Sequence, residues 1–330
     1  MSDRVTNLER TRSMLANIQR NRSAVNKLAD QVSSGIKVKG PRDADSAPIV
    51  SQTDLAIERI KSHQGRIGNT KALLSYQDEV MGSAVDLLAR AKEIATSAAS
   101  ETSGQVSRSN MAQEIYQIRD QLVAIANSTY QGRYIFAGAE NDTPPYSAAS
   151  YTNPASGQAA SRYVYTTADG ATTGTFAKIT DNISVQTNIP GSSVFSNAIG
   201  SIEQLARAMD GYSTTIASGL PNGGGTAFNL PNDRSLQTAE ILSALGSLNT
   251  ARDTYLVPSR ITIGSRINRI ESAEKILDAT RLSLQEVQSK NKDADLFDSS
   301  GQLTAMQTQL QASLSAAARF LGENGLLGLL

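Results

Sequence analysis

Ile60, Ile67, Leu74, Met81, Leu88 and Ala95 recur every seven residues without a break. Leu73, Val80, Leu87 and Ile94 form a second row beside them. A stripe this wide on one helix is closed only by several other helices. It lies in a stretch, 49–143, that contains no proline, and 259–330 contains none either. Residues 50–100 as one helix would run about 75 Å at 1.5 Å per residue. That length points to a long antiparallel coiled-coil rod.

The other heptads lie at the two ends. Near the N-terminus Leu8, Leu15, Arg22 and Ala29 form one row and Thr11, Ile18, Val25 and Val32 the other. Residues 106–127 read as a third helix, with Met111, Ile115, Ile118, Leu122 and Ile125. Ile263, Ile270, Leu277 and Leu284 repeat every seven, beside Ala273, Thr280 and Val287. The last helix carries Leu303, Leu310 and Ala317, with Leu314 and Leu321. Burying a Leu or Ile is worth roughly 1.5–3 kcal/mol, so the six apolar heptad positions of 8–32 hold on the order of 9–18 kcal/mol that only a partner helix can release. That partner is either the C-terminal helix of the same chain or a neighbouring copy. Using both builds a filament. The positions expected to form this assembly interface are Leu8, Leu15, Ile18, Val25, Val32, Leu303, Leu310, Leu314 and Leu321.

Between the flanks the composition changes. Seven of the nine prolines fall in 139–260, and charged residues drop there to about 12 %, against about 23 % elsewhere. Alternating segments at 162–167, 175–179 and 182–187 read as strands. Ala168-Asp169-Gly170 and Pro190-Gly191 read as turns. Residues 196–211 and 234–255 read as helices, and the Gly-rich 219–233 as a loop. The expectation is a mainly α chain with a small, distal β-rich insert (α+β). Its parts are 1–45, an assembly helix and loop; 46–138, a helical hairpin stem; 139–260, the insert; 261–290, a return helix; and 291–330, a C-terminal assembly helix.

Chemistry has little to build with. The chain has no Cys, one His and no Trp. Lys and Arg number 31 and Asp and Glu 31, so no positive excess points to nucleic acid. Gly223-Gly224-Gly225 lacks the Gly-Lys-Ser/Thr that completes a phosphate loop. Asp293-Ala294-Asp295 with Asp298 lacks the glycine and closing glutamate of a calcium loop. Asp43 and Asp45 read as helix caps, and His63 as a solvated residue on the polar flank of its helix. No catalytic, cofactor or metal site is expected, and no enzyme. No apolar run approaches the roughly 18 residues of a membrane span, so no membrane insertion is expected. The first residues, Met1-Ser2-Asp3-Arg4-Val5-Thr6-Asn7, have no apolar core of a cleaved signal peptide.

Several strings resemble a known family. Gln31-Val32-Ser33-Ser34-Gly35-Ile36-Lys37-Val38, with Pro41-Arg42-Asp43-Ala44-Asp45 after it, resembles the signature that follows the first helix of bacterial flagellins and hook-filament junction proteins. Tyr130-Gln131-Gly132-Arg133-Tyr134-Ile135-Phe136-Ala137-Gly138 and Asn188-Ile189-Pro190-Gly191 are similar to the junction branch of that family. Ile263-Gly264-Ser265-Arg266-Ile267-Asn268 resembles its Gly-Ala-Arg-Leu-Asn motif, and Asp293-Ala294-Asp295 its closing segment. The motif positions are Ser34, Gly35, Asp43, Asp45, Gly132, Arg133, Phe136, Gly138, Arg266, Asn268, Asp293 and Asp295. Ala44 departs from the usual Ser-Asp-Asp-Pro, and Ser299-Ser300-Gly301 stands where the family helix is often continuous.

The resemblance implies a structural subunit of the extracellular flagellum, exported by the type III channel without a cleaved signal. It implies terminal helices that order on assembly. Its partners would be further copies of itself, flagellin, hook-associated protein 1 and an export chaperone. The alternatives are a filament flagellin forming the shaft and, more remotely, an intracellular coiled-coil scaffold.

Overall fold

A computed structural model describes residues 2–37, 47–100, 103–152, 159–165, 174–212 and 233–326. The chain is mostly helical. Its helices are α1 (Ser2–Ser34), α2 (Ala47–Ala98), α3 (Gln105–Ala126), α4 (Gly191–Val194), α5 (Ser196–Met209), α6 (Arg234–Thr250), α7 (Val257–Lys292) and α8 (Leu296–Leu326). The short strands are β1 (Thr129–Tyr130), β2 (Arg133–Tyr134), β3 (Tyr146–Thr152), β4 (Ala159–Tyr165), β5 (Phe176–Lys178) and β6 (Ser184–Gln186). They pair as three antiparallel ribbons, β1–β2, β3–β4 and β5–β6. Packing divides the chain into two units, Met1–Lys61 with Leu277–Leu330, and Ser62–Ile276.

The second unit holds most of the buried apolar side chains. Ile67, Leu74, Met81, Leu88 and Ala95 of α2 are buried, as the heptad requires. Of the second row, Val80 and Ile94 are buried as well, while Leu73 and Leu87 are only half-buried. A further buried row is His63, Thr70, Gln77, Ala84, Ala91 and Ala98. Seven-residue spacing was present in this row too, but half of it is polar and the rest alanine. Ala112, Ile115, Ile118 and Leu122 of α3 and Ile199, Ile202 and Leu205 of α5 complete the helical core, and α5 packs on both α3 and α6. Arg90 of α2 reaches Glu114 of α3 at 2.9 Å, and Asp78 of α2 accepts two hydrogen bonds from Arg260 of α7.

His63 corrects the expectation of a solvated residue. It is 8 % exposed, and its Nδ1 lies 2.8 Å from the Ile179 carbonyl oxygen. Arg66, one turn later, donates Nε to the Lys178 carbonyl at 3.0 Å and brings Nη2 to 2.6 Å from the same imidazole nitrogen. The turn between β5 and β6 is held to α2 by these contacts.

The family-motif hairpin is built by backbone conformation. Gln131 (φ 52°) and Gly132 (φ 78°) are both left-handed, as a two-residue type I′ turn demands. Gly138 is left-handed as well (φ 70°). Between them Phe136 is fully buried and meets Phe195 edge-on, ring centroids 4.8 Å apart. Its carbonyl accepts the Gly191 N–H at 2.7 Å. Arg133 is exposed on β2. Arg266 donates to Gln186 Oε1 at 2.8 Å and to the Asn188 carbonyl at 3.4 Å, so α7 grips the end of β6; burial lowers its pKa from the usual value. Asn268 is exposed on α7.

The expected end of the helix near 255 is a π-helical turn, Ala251–Leu256, that joins α6 to α7. Val257 N–H bonds to the Arg252 carbonyl, five residues back. Pro258 follows and has no N–H to give, so the wide turn lets the helix continue through a proline. The one-turn α4 replaces the expected plain turn at 190–191. The turn expected at 168–170 and the loop at 219–233 lie outside the described residues, apart from residue 233.

Leu74→Ala should lower the unfolding free energy by about 2–5 kcal/mol. Leu236→Ala, at a side chain 58 % exposed, should change it by less than about 0.5 kcal/mol. Urea titration followed by circular dichroism measures both.

Candidate assembly site at the paired chain ends

In the first unit α1 and α8 pack against each other. Asn21 donates to Ser313 Oγ at 3.2 Å, and Ile36 bridges Asp293. These two contacts fix an antiparallel pair.

The corner that starts the pair comes from two motifs. Ser34 Oγ bonds back to the Asp30 carbonyl at 2.5 Å, and Gly35 takes a left-handed conformation (φ 68°), its N–H closing on Gln31 O at 2.8 Å. This is the usual glycine stop of a helix. Beyond it the backbone pairs with the end of α7. Ala294 N–H donates to Gly35 O at 2.9 Å and Lys37 N–H to Lys292 O at 2.7 Å. Asp293 accepts from Ser289 Oγ at 2.5 Å. Asp295 accepts the N–H groups of Phe297 and Asp298 at 3.0 and 3.1 Å, and so caps α8. Both carboxylates are engaged in local structure. Among the described residues no three His, Cys, Asp or Glu side chains converge on a metal-sized site.

Burial along the pair is incomplete. Ile18, Val25, Val32, Leu303 and Leu310 are half-buried. Leu15 is 54 % exposed and Leu314 49 %. The side chains of Leu8 and Leu321 lie outside the description, as do Asp43 and Asp45. Among the described residues of α1 and α8 no apolar side chain is buried. Two helices cover one face of each other and leave the rest of a wide stripe in water. Phe297, which the sequence reading did not single out, is 91 % exposed at the start of α8, beside Leu296 at 54 %. It falls outside the heptad row, so periodicity gave no signal for it. Ser299-Ser300-Gly301 does not interrupt the last helix: α8 runs through all three, and the break lies at 293–295.

Arg133, Phe136, Gly132, Gly138, Arg266 and Asn268 belong to the other unit; Gly132, Gly138, Phe136 and Arg266 shape its hairpin and strand ends, while Arg133 and Asn268 are exposed. The motif residues therefore serve two separate local structures.

The model of the bacterial flagellin N-terminal helical region matches residues 5–141, and that of the bacterial flagellin C-terminal helical region matches 246–324. The flagellar hook-associated protein 3 of Escherichia coli K12 is 31 % identical over 128 residues, which is 37 % of this chain and 39 % of that protein. The protein of the same name from Salmonella typhimurium is 32 % identical over 127 residues, 36 % of this chain and 38 % of its own length. The matched part thus spans less than two thirds of either relative. The flagellar junction protein FlgL from Legionella pneumophila superposes with a TM-score of 0.56 at 15 % identity, covering 73 % of this chain and 99 % of that one. Xanthomonas campestris FlgL gives 0.55 at 15 %, covering 73 % and 99 %. These solved structures share the fold. With both helical regions matched in order across well over half of its length, the chain belongs to the bacterial flagellin family.

Proposed function

We propose that this chain is a structural subunit of the bacterial flagellum and acts at the hook-filament junction, between hook-associated protein 1 and the flagellin filament. The observation that carries the reading is the unfinished seam of α1 and α8. Leu15 and Leu314 stay about half exposed in a pair whose other stripe residues are only half-buried. Exposed apolar rows of this length mark interaction surfaces. Neighbouring copies, and at the two faces of the ring the hook-side protein and flagellin, would close them. The terminal pair would order fully on assembly, which suits passage through a narrow export channel and protection by a chaperone beforehand. The names of the curated relatives support the junction over the shaft. The role is scaffolding rather than catalysis, at an extracellular site reached without a cleaved signal.

Leu314→Asp puts a charge into the seam and should abolish polymerisation at concentrations where the parent chain assembles. The thermal transition of residues 62–276 should be unchanged. Sedimentation and electron microscopy read the first, calorimetry the second; polymers of normal yield would remove the seam from the interface. In cells, immunogold labelling should mark a band at the distal end of the hook. Label along the whole shaft would instead make the chain a filament flagellin.

The corner gives a second test. A Cβ on Gly35 meets no atom within 4 Å, so only backbone conformation opposes substitution. Gly35→Val should cost about 1–2 kcal/mol and slow assembly, while Gly35→Asn, which tolerates the left-handed region, should keep most of it. Asp295→Ala should cost about 1 kcal/mol by leaving the first N–H groups of α8 unpaired, and Asp295→Ser should restore it.

A further inference from the structure

A pocket of about 470 Å³ lies in the second unit between α2, the β1–β2 hairpin and residues 175 and 187–188. Its size falls in the range of about 300–1,000 Å³ usual for small-ligand sites. The seam between neighbouring copies does not account for its chemistry. Arg133 supplies the only charge in the lining, and among the described residues nothing pairs with its guanidinium. Asn69, Gln131 and Asn141 line the same pocket, and none of their side chains bonds to another described residue. Tyr130 and Tyr134 contribute half-buried rings. Gln77 is the deeply buried member. It is 1 % exposed, its Nε2 donates to Thr187 O at 3.1 Å, and its Oε1 has no hydrogen-bond partner. A buried acceptor without a donor carries a desolvation penalty that a donor entering the pocket would recover.

We infer that this pocket is a binding site for an acidic sugar: a pyranose ring with several hydroxyls and one carboxylate. Each part of that ligand has a counterpart on the wall. Arg133 presents the planar fork that binds a carboxylate through two parallel hydrogen bonds. The amides of Asn69, Gln131 and Asn141 each offer a donor and an acceptor, which is what a row of hydroxyls needs. Tyrosine rings cover the apolar C–H face of a pyranose while their hydroxyls stay available at the edge. With no carboxylate in the lining, an anionic ligand meets no like charge. A purely apolar ligand would leave these polar groups unpaired, and a polycation would face Arg133. The site depends on the hairpin that Gln131 and Gly132 fold, so the strained turn positions Arg133. This inference stands apart from the assembly reading: it uses none of the residues of α1 or α8.

The probe is glucuronate, with glucose, acetate and inorganic phosphate as comparators, added to the full-length chain and followed by saturation-transfer NMR. Glucuronate should bind saturably with a Kd on the order of 1 mM. Glucose should bind more weakly, and acetate and phosphate should not compete at equal concentration. Arg133→Gln, at an exposed position that the fold does not need, should weaken glucuronate by about tenfold or more and leave glucose unchanged. Asn69→Ala should weaken both sugars. Absence of saturable glucuronate binding overturns the inference. So does equal binding by Arg133→Gln, or displacement of glucuronate by acetate or phosphate, which would reduce the site to a bare cation.

Discussion

The seam of α1 and α8 is the constraint from which the rest follows. A pair of helices with wide apolar stripes can satisfy only one face of each. Here the stripe residues remain half-buried, and Leu15 and Leu314 remain about half in water. The buried heptad positions Ile67, Leu74, Met81, Leu88 and Ala95 of α2 lie in residues 62–276, and α1 and α8 belong to the other packing unit with the start of α2 and the end of α7. Covering the rest of each stripe would remove further apolar area from water, which the hydrophobic effect favours.

The backbone stitch at Ile36 and Asp293 gives that pair its register. A helix dimer held by apolar contact alone can slide by a turn at little cost. Main-chain bonds from Lys37 to Lys292 and from Ala294 to Gly35 prevent this at one end. Gly35 and Asp295 act from the two sides of the same corner, one ending a helix and the other starting one. Neither contributes apolar area. Their work is to set where the stripes begin relative to each other.

The helices were legible because their signal is periodic and repeated many times over. The coarse boundary of α2 and the positions Ile67, Leu74, Met81 and Leu88 follow from spacing alone. The short strands were less so. Two-residue β1 and β2 cannot show alternation, and β3, Tyr-Ser-Ala-Ala-Ser-Tyr-Thr, has no apolar face to reveal it. The π-helical turn depends on where the hydrogen bonds before Pro258 are rerouted, which composition does not encode. In the assembly site the stripe was visible, but the stitch was not. It is made of main-chain groups, and the exposed Phe297 near it stands outside the repeat.

His63 shows what a pattern search for apolar residues overlooks. His63, Thr70, Gln77, Ala84, Ala91 and Ala98 form one buried row with a change of character along it. Alanine suits contact with a helix, whose carbonyls are already bonded within the helix, and close approach is all that is required. His63 and Gln77 sit where α2 meets non-helical backbone instead. There the carbonyls of Ile179, Ile135 and Thr187 come within hydrogen-bond distance of His63 Nδ1 or Gln77 Nε2. Buried carbonyls need partners. An apolar residue at either position would have left them without one, so the polar half of the row is the condition for laying strands on this long helix. The same requirement explains why Arg266 enters from α7 with its guanidinium on Gln186 and Asn188. Two helices thus supply side-chain bonds that a two-stranded ribbon is too narrow to make for itself, and the heptad is interrupted chemically without being interrupted geometrically.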